Sequence, residues 1–272
     1  MTTQLYLEFI RDALLAANDA VAESSRKKTG GRALGRGSFG DVTYEVDKAV
    51  EDTVMSMIPS RLPPTTVISE ERGISSPASA KLTLLMDPVD GSTNARREVS
   101  VYSTSIALAE GPRFSDIFAA GVIDHVRRRM VWGTRGAVYE DWTLAHPGNV
   151  TDLKEALVAL DSKQYKIPAS GRKGMDALMA STKYPRILST AALETACVAS
   201  GRLDAFVAPY ADLRSFDCLP SIFLVLGAGG VIDTGKADLG SVPLDGSVRL
   251  NYIAAANRRL LRLIESKLDY RW

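Results

Sequence analysis

The 272-residue chain has 33 Lys and Arg against 32 Asp and Glu, a formal net charge of +1, and is 46% hydrophobic and 24% charged. That is the composition of a folded protein long enough for one large domain or two packed lobes, and its balanced charge excludes general attraction to nucleic acid or a membrane surface. Two cysteines, Cys197 and Cys218, are too few for a disulfide framework or a thiolate zinc site. With no bilayer-length apolar run and no signal-like start, a cytoplasmic protein is expected.

Leu5, Phe9, Ala13, Ala16 and Ala20 recur at helical spacing, predicting an amphipathic helix to about Ser25. Residues 27–43 are too rich in Gly and charge for regular structure and read as a mobile loop or loose hairpin. A second helix is expected from Thr43, with Asp47 in its first turns and Pro59 as its stop. Residues 65–73 form a β-branched strand running into Glu70 and Glu71, and residues 82–91 repeat that arrangement with Asp87 and Asp90. Alternation of small polar with apolar residues over 101–109, then 118–140 with a turn near Asp124 and His125, makes the middle sheet-rich. Further on, a strand is predicted around 156–160 and a helix over 173–181. A hydroxyl-capped Ala-rich helix follows over 189–201, with a Gly stop. Another helix begins at Asp217 with Pro220 in its first turn, then come a strand at 231–232, a strand at 251–256 and a basic amphipathic helix from Arg258. Alternating helices and strands around a sheet-rich middle indicate layered α/β structure.

Only two histidines, His125 and His146, are present, so carboxylates must carry most acid, base or metal chemistry. The stretch MDPVDGSTN places Asp87 and Asp90 on either side of Pro88, which is expected to make a rigid turn. Two carboxylates and the Val89 carbonyl are hard oxygen donors of the kind Mg²⁺ prefers. Gly91, Ser92 and Thr93 then offer backbone N–H groups and hydroxyls as an anion seat. Taken alone, the same residues fit a capped turn leaving a strand; Glu70 and Glu71 fit a solvated strand end, and Asp217 an N-cap.

ISEER, MDPVDGSTN and SFDCLPSIFLVLGAGG, in that order and spacing, resemble the inositol monophosphatase family of Mg²⁺-dependent phosphomonoesterases. The likeness is closest to its archaeal inositol monophosphatase/fructose-1,6-bisphosphatase branch, which also shares the look of RILSTAALETACVASGRLDAFVA and NYIAAAN. It runs from about Thr43 to Asn257. The resemblance implies an α/β/α/β/α layered sandwich of the sugar-phosphatase type and a homodimer. It implies a single unit over 1–272, with lobes at about 1–145 for the metal and phosphate turn and 146–272 for the substrate side and Asp217. It makes Glu70, Asp87 and the Val89 carbonyl ligands of a first Mg²⁺, and Asp87, Asp90 and Asp217 of a second, with a third, weaker ion near Glu70. Glu70, with the Ser92 hydroxyl, would orient and deprotonate water, supported by Asp47. Asp90, Gly91, Ser92 and Thr93 would meet the phosphate, and Arg186, Thr190, Ala191 and Glu194 the rest of a small phosphorylated sugar or polyol. Glu194 equally fits a solvated helix acid, and the loop over 30–41 either the family's mobile loop or an inert excursion.

The chain departs from that pattern in four places. Ser92 replaces the usual Thr, ARREVS lacks the usual Gly and Pro, and Cys-Leu-Pro-Ser after Asp217 predicts a displaced helix start. Pro209 and Tyr210 stand where the archaeal branch carries Asp and Arg, which removes a second-phosphate contact unless Arg96, Arg97 or Arg214 substitutes. Inositol 1-phosphate is therefore the default substrate and fructose 1,6-bisphosphate the alternative. DGSTN without a following Lys-Glu argues against a nucleotide 3′-phosphatase. A non-catalytic sugar-phosphate-binding relative is the alternative of another class.

Overall fold

The computed structural model describes residues 3–166, 168 and 171–268. Helix α1 (Thr3–Lys27) buries Phe9, Ile10, Ala13, Leu14 and Ala17. Of the expected stripe Phe9 and Ala13 face the core, while Leu5 is exposed and Ala16 and Ala20 are half-buried, so the helix is as predicted but its buried face is rotated. The Gly-rich segment is a loose, largely exposed hairpin of β1 (Ala33–Arg36) and β2 (Val42–Tyr44). Helix α2 (Glu45–Arg61) is not stopped by Pro59, which lies in its last turn. Ile58 and Leu62, to either side, stay buried, so packing outweighs the lost ladder bond.

An eight-stranded sheet follows, built from β3 (Thr65–Ser69), β4 (Gly73–Ser75), β5 (Leu82–Asp90), β6 (Ser103–Ala109), β7 (Ile117–Asp124), β8 (Arg129–Thr134), β9 (Ala137–Glu140) and β10 (Thr143–Leu144), with the short helix α3 (Ser92–Arg96) after β5. Its order is β10-β9-β8-β7-β6-β5-β3-β4, antiparallel except where β3 meets β5. The rest of the chain supplies β11 (Leu157–Leu160), α4 (Lys173–Ser181), β12 (Tyr184–Arg186), α5 (Ala191–Ala199), β13 (Ala205–Leu213), α6 (Ser215–Gly227), β14 (Val231–Asp233), β15 (Leu250–Ala255) and α7 (Arg258–Leu268). Its five strands lie in the order β12-β11-β13-β15-β14.

These elements stack in five layers. Helices α1 and α2 cover one face of the first sheet, where Phe9, Val50, Leu84, Met86 and Ile106 meet. Helices α5 and α6 lie between the sheets, where Ala196, Phe216 and Phe223 pack with Leu85, Ala107, Phe206 and Tyr252. The outer helices α4 and α7 bring Leu178, Leu260 and Ile264 onto Val158, Val207 and Ile253. Leu84 and Met86 therefore point one way from β5 and Leu85 the other, as strand geometry requires. With helices on both faces, the strand reads as a continuous apolar run.

Two local features differ from the sequence reading, and both position acids. Strands β5 and β6 pair regularly as far as Asp87 opposite Ser105, but the next pair is Asp90 opposite Ser103. Three steps on one strand against two on the other make a bulge, so residues 87–90 are a bulged strand and not a proline turn. Pro88, which has no N–H, sits where the ladder is already interrupted. Helix α6 begins at Ser215 rather than Asp217, so Pro220 lies beyond the first turn and cannot bond the Phe216 carbonyl four residues earlier. The Ser105 hydroxyl donates to that carbonyl instead, at 3.2 Å, and the helix continues.

Candidate active site

The acids arrive from three directions. Glu70 follows β3, Asp87 and Asp90 frame the bulge of β5, and Asp217 is the third residue of α6. With Val89, Gly91, Ser92, Thr93 and Ala191 they line one open cleft of about 600 Å³. Crowding of like charge out of water defines its electrostatics. Burial, then repulsion from Asp217 and Glu71, holds Glu70 well above the ordinary carboxylate range. Burial, then Glu70, Asp90 and Asp217, does the same to Asp87.

Asp90 is pushed up to about 7 by burial, against hydrogen bonds that pull it down. Its Oδ2 accepts from the Ser103 hydroxyl at 3.0 Å and from the Leu193 backbone N–H at 3.1 Å, so Asp90 caps helix α5 across the layer. This corrects the expected hydroxyl cap, since Thr190 makes no side-chain cap bond. Asp217 is raised to about 6 by burial, against the Arg214 N–H and the nearby Lys163, Arg214 and Arg249. Its Oδ2 accepts from Arg214 N at 2.8 Å, so this acid caps its own helix while lining the cleft.

The phosphate-turn residues lie where the sequence puts them. Gly91 is left-handed at φ +85, and a Cβ there would fall 2.6 Å from the Thr190 Cγ2, so the turn requires glycine. The Ser92 hydroxyl donates to the Val89 carbonyl at 2.8 Å, which pairs it with the bulge rather than with Glu70. Asp47 is buried behind the turn, accepting from Tyr44 N at 2.7 Å with its other oxygen unpartnered. It is raised to about 7, chiefly by burial, with the Ser92 hydroxyl beside it.

Three expected substrate contacts stand elsewhere. Arg186 bonds the Pro185 carbonyl at 2.9 Å and, with Glu194, lines a separate cavity of about 320 Å³. Glu194 is buried, accepts from Leu188 N at 3.2 Å and Thr190 N at 3.0 Å, and is raised to about 8 by burial against those bonds. It is therefore neither a solvated acid nor a cleft group. Thr190 is wholly buried, and its methyl packs toward Gly91. Conversely, Asp41, Asp161, Ser162 and Lys163 line the cleft without having been singled out. Asp161 directly follows β11, and the strand-end carboxylate pattern seen at Glu70 was its one available signal. Of the three arginines considered for a second phosphate, Arg214 lines the cleft and Arg96 stacks on Tyr44 instead.

The donor set suits hard divalent cations. It is all oxygen, excess negative charge is forced together, and the buried Asp87 Oδ1 has no hydrogen-bond partner. Among the described residues no three acidic, His or Cys side chains already stand close enough to hold an ion, so the fit lies in charge and donor chemistry, and the cage is open.

A five-layer α/β sandwich with an acid-lined cleft beside a glycine turn defines a protein of the sugar-phosphatase type. The family model for the inositol monophosphatase family matches residues 3–269. The chain belongs to that family of phosphatases. Among relatives, it is 26% identical over 249 residues to the fructose-1,6-bisphosphatase/inositol-1-monophosphatase of Methanothermobacter thermautotrophicus, covering 88% of each chain. It is 27% identical over 263 residues to the Nus factor SuhB of Haemophilus influenzae, covering 94% of this chain and 92% of that one. The crystal structure of the extragenic suppressor protein suhB from Bartonella henselae superposes with a TM-score of 0.79 at 20% identity, over 97% of this chain and 99% of that one, and so shares the fold.

Proposed function

We propose that this protein is a Mg²⁺-dependent phosphomonoesterase that hydrolyses a small phosphorylated polyol or sugar, with inositol 1-phosphate as its default substrate. The observation that carries the reading is the gathering of Glu70, Asp87, Asp90 and Asp217 on one cleft beside the Gly91–Ser92–Thr93 turn. Glu70, Asp87 and the Val89 carbonyl would hold one ion and Asp87, Asp90 and Asp217 a second, with a weaker third near Glu70. When bound, such ions supply Lewis-acid charge that acidifies water and neutralises charge developing on the phosphate. The backbone N–H groups of Gly91, Ser92 and Thr93 orient the phosphate oxygens. Glu70, raised in proton affinity by burial and then by its acidic neighbours, would accept the proton of the attacking water. Family membership supports a homodimer. Among the described residues no helix is long and apolar enough to cross a membrane.

Among the described residues Lys163 and Arg214 are the cations on the cleft wall, and they favour a second reading, fructose 1,6-bisphosphate, whose additional phosphate needs basic partners. Phosphate release from inositol 1-phosphate, fructose 1,6-bisphosphate and adenosine 3′,5′-bisphosphate, each with Mg²⁺ and with chelator, tests both. Mg²⁺-dependent turnover of either of the first two is expected. Tight sugar-phosphate binding with no turnover at any Mg²⁺ concentration would make the chain a binding relative instead.

A further inference from the structure

Across the bulge the pairing passes from Asp87 opposite Ser105 to Asp90 opposite Ser103, and Thr104 is the β6 residue between those two partners. The Thr104 hydroxyl donates to the Pro88 carbonyl at 2.5 Å and lies 2.8 Å from His125 Nε2. His125 Nδ1 in turn lies 3.2 Å from the Asn18 side-chain amide on α1. All four groups are buried or nearly so; His125 is 8% exposed and Thr104 fully buried. We infer that His125 is a positioning residue for the metal site: through Thr104 it clamps the Pro88 carbonyl and so fixes the bulge that aims Asp87 and Asp90 into the cleft. The inference rests on the phosphatase reading above, because it assigns the clamp's purpose to metal binding.

Proton accounting dictates the chemistry of the clamp. A hydroxyl has one proton, and Thr104 gives it to Pro88, a carbonyl with no proton of its own. The contact with His125 must therefore be Nε2–H donating to the Thr104 oxygen. A neutral imidazole with that tautomer leaves Nδ1 as an acceptor, whereas the atom drawn 3.2 Å from it is the Asn18 Oδ1; the network therefore calls for the amide turned over, with its NH₂ toward the ring. Burial independently favours the neutral ring, lowering His125 to about 3 against the pull of Asp124. With the amide so turned, the donors run in one direction, Asn18 to His125 to Thr104 to Pro88, and both ring nitrogens and the hydroxyl are satisfied. The two neighbours of Thr104 on β6 serve the same end from the opposite face. Ser103 holds Asp90, and Ser105 holds the Phe216 carbonyl beside Asp217.

Two measurements test the clamp. In ¹⁵N-histidine-labelled protein only two imidazoles exist, and exposed His146 serves as the internal reference. His125 is expected to show the neutral Nε2–H tautomer at pH 7, and an Nδ1–H tautomer overturns the inference. Calorimetric titration with Mn²⁺ compares wild type with Thr104→Val, Thr104→Ser and His125→Ala. Loss of the hydroxyl or the ring is expected to weaken Mn²⁺ binding about tenfold, as supporting groups of metal ligands do, whereas Thr104→Ser stays within about threefold of wild type. If Thr104→Val melts lower yet binds Mn²⁺ within twofold of wild type, the residue is merely structural and the inference falls. Wild-type protein that neither binds Mn²⁺ nor releases phosphate overturns the phosphatase reading and the clamp together; wild type that does both, with unaltered Mn²⁺ affinity in the variants, overturns the clamp alone. Should the variants fail to fold, the tautomer of the wild type still decides.

Discussion

Glu70 has two physical effects with opposite signs. Under the proposed mechanism it would lower the barrier as the group that takes the water's proton, and as a largely desolvated acid repelled by Asp217 and Glu71 it opposes folding in the absence of cations. Glu70→Gln keeps its size and removes its charge. It is expected to cut kcat by about 10²–10⁴, the range for a general base, while raising the melting temperature of chelator-treated protein. Phosphate-release assays and calorimetry on the same preparation check the pair; a loss of both activity and stability would mean a structural acid. Gly91 is the complementary case. In Gly91→Ala the left-handed backbone costs about 1–2 kcal/mol, and the new methyl meets Thr190 Cγ2 at 2.6 Å. Adding Thr190→Ser removes that methyl contact, so the double variant should recover the steric part of the loss and retain the backbone part, which denaturant melts can separate.

Among the secondary-structure elements, α6 shows how a locally unfavourable residue is accommodated. Pro220 deprives the Phe216 carbonyl of its helical partner, and Ser105, from the neighbouring layer, replaces it. Ser105→Ala should cost about 1–3 kcal/mol, the penalty for a buried carbonyl left unsatisfied. In a Pro220→Ala background the restored N–H can reach the Phe216 carbonyl, so the same Ser105→Ala change should cost measurably less. A double-mutant cycle by urea denaturation would show this coupling, and additive effects would refute it. The case also marks what the sequence can disclose. The acids of MDPVDG and ISEER were readable because their chemistry is carried by consecutive residues at strand ends. The bulge was not, because it exists only in the register between β5 and β6. Nor was the true cap of α5, supplied by Asp90 about a hundred positions upstream, for which the adjacent Thr190 was a plausible but wrong local substitute. Strand β13 went unpredicted because AFVAPYADL mixes Pro, Asp and small residues, and its strand character comes from pairing with β11 and β15.

For the whole molecule, folding assembles Asp41, Glu70, Glu71, Asp87, Asp90, Asp161 and Asp217 on one cleft against Lys163 and Arg214, a charge distribution that makes stability depend on pH and on cations together. In the unfolded chain carboxylates titrate near 4. In the fold Asp217 is raised to about 6, Asp47 and Asp90 to about 7, and Glu70 and Asp87 well above their usual range, burial being the largest cause for each. Between about pH 4 and 7 the native state therefore holds more protons than the unfolded one, and the sign of the linkage makes stability fall as pH rises. His125, lowered to about 3 by burial, acts in the opposite sense below its ordinary value near 6.5. Each group changes stability by about 1.4 kcal/mol per pH unit over its window, so one imidazole is outweighed by several carboxylates. Chelator-treated protein is thus expected to melt at a lower temperature at pH 8 than at pH 5. Cations favour the ionised carboxylates, so Mg²⁺ should raise the melting temperature far more at pH 8 than at pH 5; saturation at a hundredfold over Kd contributes about 2.7 kcal/mol. Calorimetric scans at both pH values, with and without Mg²⁺, measure the four melting temperatures. Equal Mg²⁺ shifts at the two pH values would show that the crowded acids are not the groups that meet the ion.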